Sequence, residues 1–221
     1  MLAFIADWLR PVSDFHTRAF GALLAAVIWI SLIALTWRHR GVRIALLVIT
    51  AAGAIFALLP GRKNRDVAAL RVADAVALRR YMGARYYWGG ESPKGIDCSG
   101  LIRLGMIDAL FLRGIASADP GMVRDSVWIW WHDCSAADFG SGHGFASRIF
   151  EAPSLNTVDY SKMELGDLAV TWSGNHILAY TGSNSWIEAD IEEGKVIAVT
   201  APSKNEWFQG RMRIVRWNIL R

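Results

Sequence analysis

The sequence predicts an α+β domain preceded by a pair of apolar helices, and three observations carry that prediction. Two stretches without a charge, residues 19–37 and 44–61, lie near the N-terminus. A Gly/Pro-rich loop at residues 86–95 runs into an apolar segment of helical period that opens at Cys98. Beyond residue 165 the chain changes to short period-two segments separated by glycine turns. Helices first and antiparallel strands afterwards is α+β organisation.

The apolar pair comes first. Of 221 residues, 53% are hydrophobic and the mean hydropathy is +0.24, with the excess concentrated in these two stretches. Each spans roughly 27 Å as a helix, close to the roughly 30 Å of a hydrocarbon core. The reading is two transmembrane helices (19–61) joined by Arg38, His39, Arg40, Gly41, Val42 and Arg43. A cleaved signal peptide fits less well, because the first run is too long, starts late and is followed at once by a second. A buried soluble hairpin would show a polar face, and neither stretch has one. Residues 1–18 form an N-terminal tail with Phe4, Trp8 and Phe15 as interfacial contacts, and 62–65 a short basic linker. Charge does not fix the orientation: Arg38, Arg40 and Arg43 favour a cytoplasmic loop, whereas Arg10, Arg18, Arg62, Lys63, Arg65 and Arg71 favour the reverse. A net charge of +4 and a pI near 9.3 suit anionic lipid or an anionic polymer as well as nucleic acid, and no nucleic-acid module or phosphate-binding glycine loop is present.

The chemistry gathers around residues 86–102. Cys98 stands where the loop becomes a helix, and the positive end of a helix dipole favours the thiolate, the nucleophilic form. The plain alternative is a small buried hydrophobe. Residues 165–182 read as a strand, a tight turn through Ser173, Gly174 and Asn175, and a second strand opening with His176, which a rigid hairpin would hold as a base. Residues 184–190 alternate and pair next to that strand, with Glu188 and Asp190 on one face; either carboxylate suits the other ring N–H of His176.

Together these segments resemble the NlpC family of cell-wall cysteine peptidases, which have a papain-like fold. The resemblance is carried by Tyr86 to Gly90, Ser92-Pro93, Asp97-Cys98-Ser99-Gly100-Leu101, Gly166-Asp167-Leu168, His176, Tyr180 and Gly182, and it covers roughly residues 66–221. It implies Cys98 as nucleophile, His176 as base and Tyr86 as an oxyanion contact. The third polar residue, usually His, Asn or Gln, falls on Glu188, a departure from the usual pattern, with Asp190 as the fallback if the register shifts by two. The resemblance also implies a peptidoglycan stem peptide as substrate, cleaved between D-glutamate and diaminopimelate, with no cofactor. A wall substrate places the domain outside a bacterial inner membrane, where the bilayer, and a protein partner along the hairpin, are the other contacts. Two other classes stay open: a lipid or other acyl-bond hydrolase or acyltransferase of this fold, and a non-catalytic wall-binding or toxin component.

The remaining chain is read as follows. Residues 66–82 form an amphipathic helix. The Cys98 helix runs to about Arg113 and ends at Gly114. Residues 115–163 form an insertion whose Trp128, Trp130 and Trp131 cover the core, stack on sugars or enter a membrane interface. His132, Cys134 and His143 lack paired ligand spacing, so no metal is expected. A Cys98–Cys134 bridge would abolish the nucleophile, so both thiols are expected free or Cys98 only transiently oxidised. Residues 195–200 and 211–220 complete the strands, with Arg211, Arg213 and Arg216 turned outward.

Overall fold

The computed structural model describes residues 14–142 and 144–221. Two long helices come first, α1 (Phe15–Leu35) and α2 (Arg40–Leu58). Both are long and apolar enough to cross a membrane. Their burial is inverted relative to a soluble core: Arg18 is the one buried residue of α1 and Leu46 that of α2, while Leu23, Ile28, Ile30, Val48 and Ile55 are exposed. Trp29 Nε1 donates to Thr50 Oγ1 at 3.0 Å between them.

Next come α3 (Val67–Arg80), the two-residue strands β1 (Glu91–Ser92) and β2 (Gly95–Ile96), α4 (Cys98–Ala116), α5 (Pro120–Trp131) and α6 (Ala136–Ser141). Each of α1, α3, α4 and α5 opens on an aspartate, Asp14, Asp66, Asp97 and Asp119, whose carboxylate accepts a backbone N–H of the first turn. The strands β3 (Ala146–Ala152), β4 (Leu168–Thr171), β5 (Ile177–Gly182), β6 (Ser185–Asp190), β7 (Lys195–Thr200) and β8 (Met212–Trp217) form one antiparallel sheet in the order β3-β8-β4-β5-β6-β7.

Strand alternation sorts the sheet into two cores. Leu168, Val170, Ile177, Ala179, Ile187 and Val215 pack with Leu101, Ile102, Met106 and Leu110 of α4. Ala169, Leu178, Tyr180, Trp186 and Ile214 pack instead with Leu155 and Phe208. The Cys98 helix therefore lies on one face of an antiparallel sheet, as the α+β reading anticipates.

Four details differ from that reading. Residues 115–163 are not simply an insertion, because they supply β3, an edge strand of the main sheet paired along β8, and α5, which packs on α4. Gly114 lies inside α4 and does not end it; a Cβ there would stand 2.8 Å from Val123 Cγ2, so the glycine serves the close approach of α5. Arg216 turns inward to a paired contact with Asp167, at 2.6 and 2.8 Å. Phe15 begins α1, its ring edge-on to Trp131 at 5.3 Å, whereas Phe4 and Trp8 lie outside the described residues.

One buried group leads to a pH prediction. Asp74 on α3 is 1% exposed, and neither carboxylate oxygen has a hydrogen-bond partner among the described residues. Burial pushes its pKa up to about 8 against the opposing charge of Arg71. An ordinary aspartate in the unfolded chain titrates near ~4. Between these values folding takes up a proton, so stability is highest below about pH 4 for this group and falls as pH rises toward 8. We expect the thermal midpoint of the full chain in detergent to fall from pH 5 to pH 8, and Asp74→Asn to flatten that slope. An unchanged slope in the variant would assign the dependence to other groups.

Candidate active site

The loop before Cys98 is shaped by close backbone approach. Asp97 caps α4 through Oδ1, which accepts from Gly100 N (2.6 Å) and Ser99 Oγ (3.1 Å), while Oδ2 accepts from Gly89 N (2.9 Å). One carboxylate thus ties the loop to the helix it starts. Gly89 has φ +72°. A Cβ on Gly100 would lie 2.2 Å from Gly90 O, and one on Gly90 would lie 2.3 Å from Gly95 O. Only glycine fits either place.

Cys98 is buried at the start of α4, and its thiol meets the backbone N–H of Ile177, the residue after His176. Burial first, and the charge of Asp97 second, push the thiol up to about 12, outweighing the N–H groups of Ile177, Ser99 and Cys98 itself. The helix terminus alone therefore does not yield a resting thiolate. His176 lies one residue along the chain from the Ile177 N–H that faces this thiol.

His176 is fixed on all sides. Its N–H donates to Thr171 Oγ1 (3.1 Å), and its carbonyl accepts from Thr171 N (3.1 Å) across the 173–175 turn, where Gly174 has φ +76°. Nε2 is 2.6 Å from Glu188 Oε2, which leaves Nδ1 for other chemistry. The ring stacks on Trp207 at 4.2 Å and 20°.

Glu188 is fully buried on β6, and burial raises its pKa against the hydrogen bonds from His176 and Asn205. Its second oxygen, Oε1, accepts from Asn205 Nδ2 at 3.1 Å. Asp190, on the same face, does not reach His176: Oδ1 caps the following turn by accepting from Glu192 N (2.7 Å) and Glu193 N (3.0 Å), and Oδ2 accepts from Asn205 at 3.2 Å. The register therefore brings Glu188, and not Asp190, to the imidazole. Tyr86 packs half-buried against the cluster holding Cys98; burial, then the charges of Cys98 and Asp97, push its hydroxyl up to about 12, so it stays a donor. Asn205 and Trp207 carry no motif signal, since they lie in an irregular segment between β7 and β8 that only folding brings over β5 and β6.

A cleft of about 280 Å³ opens beside the first turn of α4, lined by Gly89, Asp97, Ser99, Arg103, Asp133 and Cys134. Both cysteines are free. His132 bonds back to Trp128 O (2.9 Å) and packs tilted against that ring at 36°, and His143 lies outside the described residues. Among the described residues no group of three or more metal-ligating side chains converges.

Comparison with known proteins follows this geometry. Residues 83–216 match the NlpC/P60 family. The chain is 27% identical over 116 residues to dipeptidyl-peptidase 6 of Lysinibacillus sphaericus, covering 52% of this chain and 31% of that one, so it spans less than a third of that relative's length. Among solved structures, NlpC1 of Trichomonas vaginalis is 16% identical, with 71% of this chain and 46% of that one covered and a TM-score of 0.45. The peptidoglycan hydrolase RipB of Mycobacterium tuberculosis is 18% identical, with 68% and 65% covered and a TM-score of 0.43. The P60 domain of a Mycobacterium avium subspecies paratuberculosis antigen is 19% identical, with 70% and 98% covered and a TM-score of 0.45. With its family match running from the loop before Cys98 through the last strand of the sheet, this chain belongs to the NlpC/P60 family.

Proposed function

We propose that this chain is a membrane-anchored cysteine peptidase that hydrolyses an amide bond in peptidoglycan stem peptides, of the D-glutamyl-diaminopimelate type, with its catalytic domain on the wall side of a bacterial inner membrane. The observation that carries the reading is that Cys98, at the start of α4, has its thiol against the backbone N–H of Ile177, the residue next to His176, whose Nε2 is held by Glu188 of β6.

In this mechanism His176 Nδ1 takes the Cys98 proton while Glu188 holds Nε2–H. The thiolate attacks the carbonyl carbon, and the oxyanion is met by the Cys98 backbone N–H and the Tyr86 hydroxyl. The imidazolium returns its proton to the leaving amine as the C–N bond breaks, leaving a thioester. Water, deprotonated by His176, cleaves the thioester to a carboxylic acid and the free thiol. No cofactor takes part in these steps.

The test uses the full chain in detergent with stem peptides released from peptidoglycan, and mass spectrometry of the products. Expected are paired fragments carrying a new glutamate carboxyl and a new diaminopimelate amine, formed by the wild type and not by Cys98→Ala. Intact peptides with both proteins would overturn the assignment.

A further inference from the structure

The catalytic domain is bolted to both feet of the hairpin. Arg18, the last residue before the charge-free run of α1, is buried; its guanidinium lies 2.5 Å from Glu91 Oε2 and 2.7 Å from Asp133 Oδ1. Glu91 is in turn 2.6 Å from Arg103 of α4. Glu91 pairs across β1–β2 with Ile96, two residues before Cys98. That side-chain reach, the strand pair and two residues of chain put the Cys98 Cα within roughly 28 Å of the Arg18 backbone.

The other foot is equally short of slack. Arg124 of α5 donates to Ala57 O (2.8 Å) in the last turn of α2 and to Leu59 O (2.7 Å), the residue that caps it. Gly61 presses on Gly121 so closely that a Cβ would stand 2.8 Å from the Gly121 Cα. Arg62 N donates to Asp119 Oδ1 (3.2 Å), and Arg65 pairs with Asp125 (2.6 Å). The segment between α2 and α3 is therefore pinned along its length, not a tether. Helix α5 runs from one foot to the other, Gly121 against Gly61 and Trp131 against Phe15, with Val127 and Trp128 exposed on its free side. An aromatic, apolar face at the level where two spanning helices emerge suits the membrane interface.

From this we infer that the substrate of the site is itself held in the membrane: a peptide amide carried on a lipid anchor in the same bilayer, in preference to a peptide in a polymer standing away from it. The inference rests on the cysteine-peptidase reading above and on a spanning hairpin. A site that cannot stand off from the surface is closed to a distant network, whereas a lipid-anchored peptide meets it at high effective concentration, which raises apparent affinity by about 10²–10⁴. The bond chemistry is that given above; the anchored fragment keeps its lipid and the other product leaves into water.

The experiment places the full chain in vesicles of phosphatidylcholine and phosphatidylglycerol. Three probes carry the same stem peptide: free in solution, coupled to a lipid anchor in those vesicles, and within isolated wall sacculi. We expect the anchored peptide to be cut with about 100-fold higher kcat/KM than the free one, and sacculi to be cut slowest. Equal rates on free and anchored peptide, or fastest release from sacculi, would overturn the inference while leaving the peptidase reading intact. Release of fatty acid from the vesicle lipid with every peptide intact would keep the membrane-held substrate but overturn the peptide bond as target. Cleavage of none of these would overturn both.

Discussion

Cys98→Ser and His176→Ala each lower kcat for stem-peptide hydrolysis by about 10⁴-fold or more, and the double variant is no slower than the worse of the two. The reason lies in the environment of the thiol. Held near 12 by burial and by Asp97, it is ionised at pH 7 to only about one part in 10⁵. Without His176 that fraction is all the enzyme has, so losing the base costs nearly as much as losing the nucleophile. Two groups that act as one unit are not additive. Iodoacetamide labelling gives the matching chemical readout: Cys98 of the wild type reacts faster near neutral pH than Cys98 in His176→Ala. Equal labelling rates would mean that the imidazole does not activate the thiol. Circular dichroism of each variant shows whether the fold is retained.

Glu188→Gln lowers kcat by about 10²–10³-fold with little change in KM, although Gln, with His and Asn, is among the usual side chains at this place in the family the chain resembles. Here both oxygens of Glu188 accept, Oε2 from His176 and Oε1 from Asn205. An amide has one oxygen for these two donors. Asn205 cannot flip to compensate, because its own Oδ1 accepts the Trp207 N–H at 2.9 Å. The glutamine then turns its NH₂ toward either another NH₂ or the imidazole N–H, and the histidine loses the tautomer that leaves Nδ1 as acceptor. Removing the competing donor relieves the conflict, so Glu188→Gln/Asn205→Ala is faster than Glu188→Gln alone, a non-additive rescue. Asp190→Asn changes kcat by less than about tenfold, since Asp190 caps a turn and does not touch the ring. The pH profile gives an independent check. Burial raises the pKa of Glu188, so protonation of this carboxylate, and with it loss of activity on the acid side, sets in at higher pH than for an exposed glutamate. The acid limb changes in Glu188→Gln. A double variant no faster than Glu188→Gln would show that Asn205 is not what demands a carboxylate.

Much of this protein is legible in one dimension because the signals are local. The length and uniform apolarity of residues 19–37 and 44–61 specify two long helices, since both properties are read residue by residue. The Gly-Gly step and the Asp97-Cys98-Ser99-Gly100 run specify a loop forced against a helix start, where only glycine clears the backbone. Period-two alternation marks β5 and β6 and puts Glu188 and Asp190 on one face.

What the sequence left open was settled by contacts between distant segments. The choice of Glu188 over Asp190 is a matter of strand register, which moves in steps of two residues on one face and leaves no trace in either strand alone. Residues 146–152 read as part of an insertion because their partner, β8, lies some sixty residues further on. Asn205, Trp207 and Arg18 looked like ordinary polar and aromatic residues. They take their places by the site only because a loop closes over β5 and β6, and because the foot of α1 brings Arg18 in beside the buried charges Glu91 and Arg103, with the exposed Asp133 at their edge. The pinned segment at 62–65 follows the same logic: a run of basic residues reads as a solvated linker until Asp119 and Asp125, from another helix, are placed opposite it. Local chemistry was thus determined by the sequence itself, whereas pairing across the chain, and with it the docking of the domain on the two apolar helices, was decided only when the chain closed on itself.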